Sequence, residues 1–431
     1  MLLTIFIYFI VLFLYLSFRF NLSTKITRFY YNTGDVINHL ILIYLIKQNN
    51  NRIIKETPQF LLSDVNDYPS FYHKLMSYFP TDMVEKFGWF SGILFDSLYL
   101  SMVYWVSWWF ANIEGVSNAI ETAVIASIIF AFTPLLYDHE GRTFRVSERP
   151  MGDFLGAFAL LSTIFFIKYK LVIWLILALA SIIIVVISSK FALQAVVFIS
   201  IILSLIDKNI WYILIPLFGI LLSFILTKGY ALTVLKGSIR HSYYYATRFL
   251  KIMPFYYSSY LLPLSLIKLF FSKSSNSSNI ISKIITKISK IKYLLMQDSL
   301  FKTFFLAPLI IYLIYLVVIS YYPITHSSYI ETTFLNFVLA SFLVAFIIAI
   351  KPLKFLGEPE RYIIFSLTPL TSLIAFKIAS SNYFSKSELF ILLSLFLITN
   401  NFIFKVSKAI DNKEKYYELE KIKKLLLSQG D

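Results

Sequence analysis

Long apolar runs separated by short polar connections pattern the chain from its first residues. They fall near residues 2–18, 88–110, 117–136, 152–167, 171–187, 191–206, 210–227, 254–271, 303–321, 332–350, 361–379 and 388–404. At about 1.5 Å rise per residue, runs of this length cross most or all of a hydrocarbon layer about 30 Å thick. Several are crowded with Ile, Phe and Tyr, which in water would hint at strands. In lipid only a helix or a closed barrel satisfies its own backbone, and these runs lack the alternation of a barrel strand. The pattern therefore predicts an all-α, polytopic transmembrane protein of about twelve spans. The run from Met1 to Phe18 has no charged leader and no Ala-x-Ala pattern after it, so it reads as a retained first helix.

Composition agrees. The 431 residues are 58% hydrophobic and 15% charged, against roughly 45–50% and about 25% in soluble domains. That excludes a water-soluble globular protein. Gly 12 and Pro 13 are low counts and speak against a loop-rich chain. With Cys 0, disulfides, Cys-ligated zinc, iron–sulfur clusters and thiol nucleophiles are excluded.

The net charge of +15 bears first on topology. With a cytoplasmic N-terminus, the alternation of spans places Lys168 and Lys170, the lysine-rich stretch 273–302, Lys351 and Lys354, and the tail from Lys405 inside. Sidedness and anionic headgroups then account for much of the charge, and no nucleic acid is called for. The expected organisation is an N-terminal transmembrane module, 1–271, with outer loops 19–86, 137–151 and 228–253. A cytoplasmic basic amphipathic helix (272–302), a C-terminal transmembrane module (303–404) and a basic tail (405–431) follow. In the helix, Ile280, Ile281, Ile284, Ile285, Ile288, Ile291 and Leu295 oppose Lys283, Lys287 and Lys290, as suits the inner leaflet.

Candidate chemistry gathers in the outer loops. In Thr33-Gly34-Asp35-Val36-Ile37-Asn38-His39, Thr33 or Asp35 can cap a helix continuing through Leu40, Ile41, Tyr44 and Leu45. Asp35 and His39, four apart, share a face, and a carboxylate there could take a proton from a hydroxyl nucleophile. The plainer alternative is that Asp35 caps the helix and His39 packs. Pro69 can open a second short helix carrying His73, a candidate pocket residue; Asp67 beside it reads as an ordinary loop residue. Asp138, His139 and Glu140 offer metal-binding atoms but no diagnostic spacing. Arg142, Arg145 and Arg149, near Glu148, recur at helix-like spacing before an apolar span. Arg suits bidentate phosphate binding, the plainer alternative being a salt bridge to Glu140 or Glu148. Arg240 and His241 precede a run of tyrosines, which suits either a sugar–phosphate headgroup or an interfacial aromatic belt. Asp96, Glu121 and Asp153 are carboxylates within apolar runs, the kind of group that transporters use for protons or ions. Walker, Rossmann and Ser-centred nucleophile motifs are absent.

The arrangement resembles the GT-C membrane glycosyltransferases, which use polyprenyl-phosphate-linked sugars. Gly34-Asp35-Val36-Ile37-Asn38-His39-Leu40 is similar to that family's first-loop signature. Asp67-Tyr68-Pro69-Ser70-Phe71-Tyr72-His73 resembles the Tyr-Pro…His segment of some bacterial and archaeal members. Ser147-Glu148-Arg149-Pro150 and Gly357-Glu358-Pro359-Glu360-Arg361-Tyr362, each before a span, add to the likeness. The Trp-Trp-Asp signature of oligosaccharyltransferase catalytic subunits is absent, so protein N-glycosylation is not implied.

The resemblance implies an inverting glycosyltransferase of the plasma membrane, with its active face extracytoplasmic and a long first loop carrying interfacial helices. Asp35 and His39 would be catalytic, Asp35 as general base. His73, Arg142, Arg145, Glu148, Arg149, Arg240 and His241 would bind substrate, the arginines holding the lipid phosphate. The implied partners are a polyprenyl-phosphate sugar donor, a glycan, lipid or protein acceptor, and membrane lipids. No metal ligand and no cofactor is assigned, with a divalent cation left open. A transporter or flippase of lipid-linked glycans, and an O-antigen-type polymerase or ligase, are the other readings of the same loops.

Overall fold

The computed structural model describes residues 2–30, 34–55, 66–116, 118–136, 146–249 and 328–380, with 309 and 312. Asp138, His139, Glu140, Arg142 and Arg145, the stretch 272–302, the tail 405–431 and the expected spans 254–271, 303–321 and 388–404 lie outside the described residues, apart from 309 and 312.

Every regular element among the described residues is helical, as the all-α expectation requires. In chain order they are α1 (Leu2–Tyr30), α2 (Gly34–Gln48), α3 (Phe71–Ser77), α4 (Thr81–Phe87), α5 (Phe90–Ile113) and α6 (Ala119–Phe132). Next come α7 (Arg149–Tyr169), α8 (Val172–Ser188), α9 (Lys190–Asp207), α10 (Trp211–Leu226) and α11 (Tyr230–Tyr244). Finally come α12 (Tyr329–Ile348), α13 (Glu360–Ile364) and α14 (Leu367–Ser380). Four helices, Leu2–Ser23 within α1, α7, α9 and α12, are long and apolar enough to cross a membrane. The chain is a membrane protein.

Local chemistry sets the ends of these helices. Asn118 accepts from the Glu121 backbone at the start of α6, and Ser189 and Ser328 do the same for α9 and α12. Lys170, with φ 55°, ends α7 in the left-handed region, and α8 begins two residues later. Packing follows the short connections: α7 lies on α8 and α9, α5 on α6, and α14 on α5, α6 and α12. Leu160, Ile164, Ile182, Val185, Val196, Ile199, Phe334, Phe337 and Ile374 fill the shared core. Small residues allow the closest approaches. A Cβ on Gly152 would stand 2.6 Å from Ser189 Cβ, which brings the start of α7 against the α8–α9 corner.

Two expectations change. The first helix is not confined to 2–18 but continues to Tyr30. Arg19 is fully buried and bonds Asp96 of α5 at 2.5 Å, so the charge that would end a lipid-facing run is neutralised inside the bundle. The same pair gives Asp96 a structural partner. The second change concerns sides. Glu114, after α5, bonds Ser328 and acts electrostatically on Lys168, so the start of α12 shares an end of the bundle with Lys168 and Lys170. The helix then runs the other way, and residues 351–356 pack on α11 and the turn 245–249. Lys351 and Lys354 therefore sit on the end opposite Lys168, not on the same side.

Candidate functional site

The site forms at the end of the bundle where α7 and α9 begin and α8 finishes. Beside them, α2, α3 and α4 form a small layer of their own. Val36, Leu40 and Ile43 of α2, Tyr72 and Met76 of α3, Val84 of α4, and Val146 and Met151 at the start of α7 are one apolar cluster. These residues recur at helical spacing, so each short helix has one buried face and a fixed rotation. His39 lies on the buried side of α2, next to Leu40, and His73 on the buried side of α3, next to Tyr72. Both imidazoles consequently point into the layer.

There they meet. Nδ1 of His39 and Nε2 of His73 are hydrogen-bonded at 2.8 Å, with the rings stacked. Nε2 of His39 is 3.2 Å from a carboxylate oxygen of Glu148, the residue before α7. The other oxygen of Glu148 accepts from the Tyr68 hydroxyl at 3.2 Å. His73 is wholly buried. Burial, and then the neighbouring His39, hold the His73 imidazole well below the usual histidine range, so it is neutral. One ligand-type atom each from His39, His73 and Glu148 lies within 4.8 Å of the others.

The connection bearing Tyr68 and Pro69 is built rather than loose. Asn66 donates to the Ile54 carbonyl at 2.9 Å and accepts from the Tyr68 backbone at 3.3 Å. The hydroxyl of Tyr230, in the first turn of α11, accepts from the Ser70 backbone at 3.0 Å and donates to the Tyr68 carbonyl at 2.9 Å. Gly237, further along α11, lets Asp67 come so near that an added Cβ would fall 2.4 Å from the Asp67 side chain.

Cations line this side. Arg240 is 3.5 Å from Asp67, and Lys190, first residue of α9, bonds Nδ1 of His241 at 2.7 Å. Asp67 also acts electrostatically on Lys190, so one carboxylate organises both cations. The His241 ring keeps an open edge but packs on Tyr245. Desolvation, and then the Lys190 ammonium, push its pKa down to about 4. Behind Glu148, Asp153 and Glu360 are buried, Arg361 pairs with Glu358, and Glu148 and Asp153 both act on the Arg361 charge.

Of the residues singled out in the sequence, the structure brings together His39, His73 and Glu148, and separately Arg240 and His241. Arg149 opens α7 next to Glu148. Asp35 stands in the first turn of α2, one helical turn before His39, and its side chain is outside the described residues. Asp67, read as an ordinary loop residue, proves to be the anchor of Arg240. Tyr68, Lys190 and Tyr230 were missed as site residues. Only the Tyr-Pro context of Tyr68 signalled it in advance; nothing near Lys190 or Tyr230 points to partners more than fifty residues away.

No protein-family model and no curated protein matches the sequence. Among solved structures, the fold is similar to that of an oligosaccharyltransferase of Archaeoglobus fulgidus in its apo form. The TM-score is 0.51 at 13% identity, covering 94% of this chain and 57% of that one. The chain thus spans somewhat over half the length of that protein, and the likeness is one of fold. It is the helical architecture anticipated from the GT-C resemblance.

Proposed function

We propose that the protein is a membrane glycosyltransferase that moves a sugar from a polyprenyl-phosphate donor to an acceptor on the extracytoplasmic side. The observation that carries this reading is the meeting of His39, His73 and Glu148 beside the Asp67-anchored cations, on a fold shared with an oligosaccharyltransferase. The acceptor hydroxyl attacks the anomeric carbon while Asp35 takes its proton, and the bond from that carbon to the lipid phosphate breaks with inversion. Arg149 and Arg240, with Arg142 and Arg145, hold the leaving phosphate, and His241 contacts the substrate as a neutral imidazole. Cations fixed in advance stabilise its developing charge without reorganising as the bond breaks. His39, His73 and Glu148 shape the acceptor side. Because the lipid donor is already confined to the membrane, positioning supplies much of the rate.

The test is sugar transfer in membranes from labelled polyprenyl-phosphate sugars, comparing wild type with Asp35→Asn. Loss of transfer at unchanged expression is the expected result. Undiminished transfer by the variant would remove Asp35 as the base. Labelled lipid-linked glycan reaching the outer leaflet with no transfer would favour a transporter.

A further inference from the structure

We infer that His39, His73 and Glu148 form a binding site for one divalent transition-metal ion. Three chain segments far apart in sequence, α2, α3 and the start of α7, deliver these groups to one place. Nε2 of His39 and the Glu148 oxygen are 3.2 Å apart. That is the spacing of two ligands about 2.1 Å from a common ion. Ligands on opposite sides of such an ion are about 4.2 Å apart, so a group whose atoms lie within 4.8 Å has at most about 0.6 Å to close.

The hydrogen bonds show why something positive belongs there. One oxygen of Glu148 is buried with no hydrogen-bond partner, and Nε2 of His39 stands 3.2 Å from it. A carboxylate oxygen left so in the interior calls for a positive partner. The surroundings suit a cation. Glu148 is oriented by the Tyr68 hydroxyl, the kind of outer support that ligating carboxylates have. Ion binding exchanges the bond between the two histidines for two metal–nitrogen bonds. Two imidazoles and one carboxylate suit Zn²⁺ or Mn²⁺ better than Mg²⁺ or Ca²⁺, which prefer oxygen, and leave positions open for a substrate oxygen. An ion so placed would act as a Lewis acid toward that oxygen. Only this last role rests on the transferase reading.

The experiment uses the full chain in detergent, stripped with chelator and dialysed against Zn²⁺ or Mn²⁺ alone. Metal content, and X-ray absorption of the loaded wild type, are then measured. The expected result is about one ion per chain with nitrogen and oxygen neighbours near 2.0–2.2 Å, including two imidazoles. Glu148→Gln and His73→Gln should each weaken binding by at least about tenfold, while Glu121→Gln, exposed and outside the site, leaves it unchanged. Should the variants fail to fold, the wild-type absorption spectrum decides: a shell without imidazole overturns the proposal, as does the absence of stoichiometric metal. Bound metal with two imidazoles but no transfer from any donor would leave the site standing and remove the transferase reading.

Discussion

At Gly237 helix α11 comes close against the connection carrying Asp67. A methyl group there would stand 2.4 Å from Asp67 Cβ, and the carboxylate could not stay where it holds Arg240. Gly237→Ala should therefore cost about 1–3 kcal/mol in stability and weaken donor binding together, read as the melting temperature in detergent and the donor KM. His241 supports a different kind of prediction. Its folded-state pKa, about 4, lies below the ordinary 6.5, so between these values the unfolded chain binds the extra proton. The stability His241 contributes is complete above pH 6.5 and is lost as the pH falls toward 4. Melting curves of His241→Gln should accordingly fall less steeply across that window than those of wild type. An unchanged slope would mean that His241 stays protonated in the folded protein.

Among the helices, α1 and α5 share a buried ionic contact. Arg19 and Asp96 are both fully buried and stand 2.5 Å apart. Asp96→Ala leaves the guanidinium short of its carboxylate partner in an apolar interior. The expected loss is about 3–5 kcal/mol, seen as a lowered melting temperature and poor yield in membranes. Asp96→Asn, which keeps a hydrogen-bond acceptor, should lose less. The short helices were partly legible in the sequence. The apolar spacing after Asp35 and Pro69 announces α2 and α3, and both are there. Within α3, however, Leu75 is exposed while His73 lies inside. Hydrophobicity ranked leucine above histidine; the partner waiting on α2 reversed the order.

For the molecule as a whole, sidedness is open to direct measurement because the chain has Cys 0 and one introduced cysteine is a clean probe. Asn50, exposed after α2, belongs to the layer at the site, whereas Lys170, in the α7–α8 corner, is at the far end of α7. With 21 residues, α7 spans about 31 Å, enough to put the two probes on opposite sides of a bilayer. In intact cells a membrane-impermeant maleimide should label Asn50→Cys and spare Lys170→Cys. The reverse labelling would place the site in the cytoplasm, and the proposed extracytoplasmic transfer would fail.

The sequence by itself determined that this is a helical membrane protein. Lipid offers the backbone no partners, so a chain of uninterrupted apolar runs has little choice beyond helices. It also marked His39, His73, Glu148 and Arg240 as polar groups in unusual places. Tertiary structure alone decided which of them meet. Helical periodicity reports which residues share a face within one element. It carries no information on how α2 and α3 seat against the start of α7. That docking depends on side chains as distant as Val36, Tyr72 and Met151 filling one small core. The same packing joined Asp67 to Arg240, and the α8–α9 corner set Lys190 beside His241, contacts that no spacing along the chain expresses.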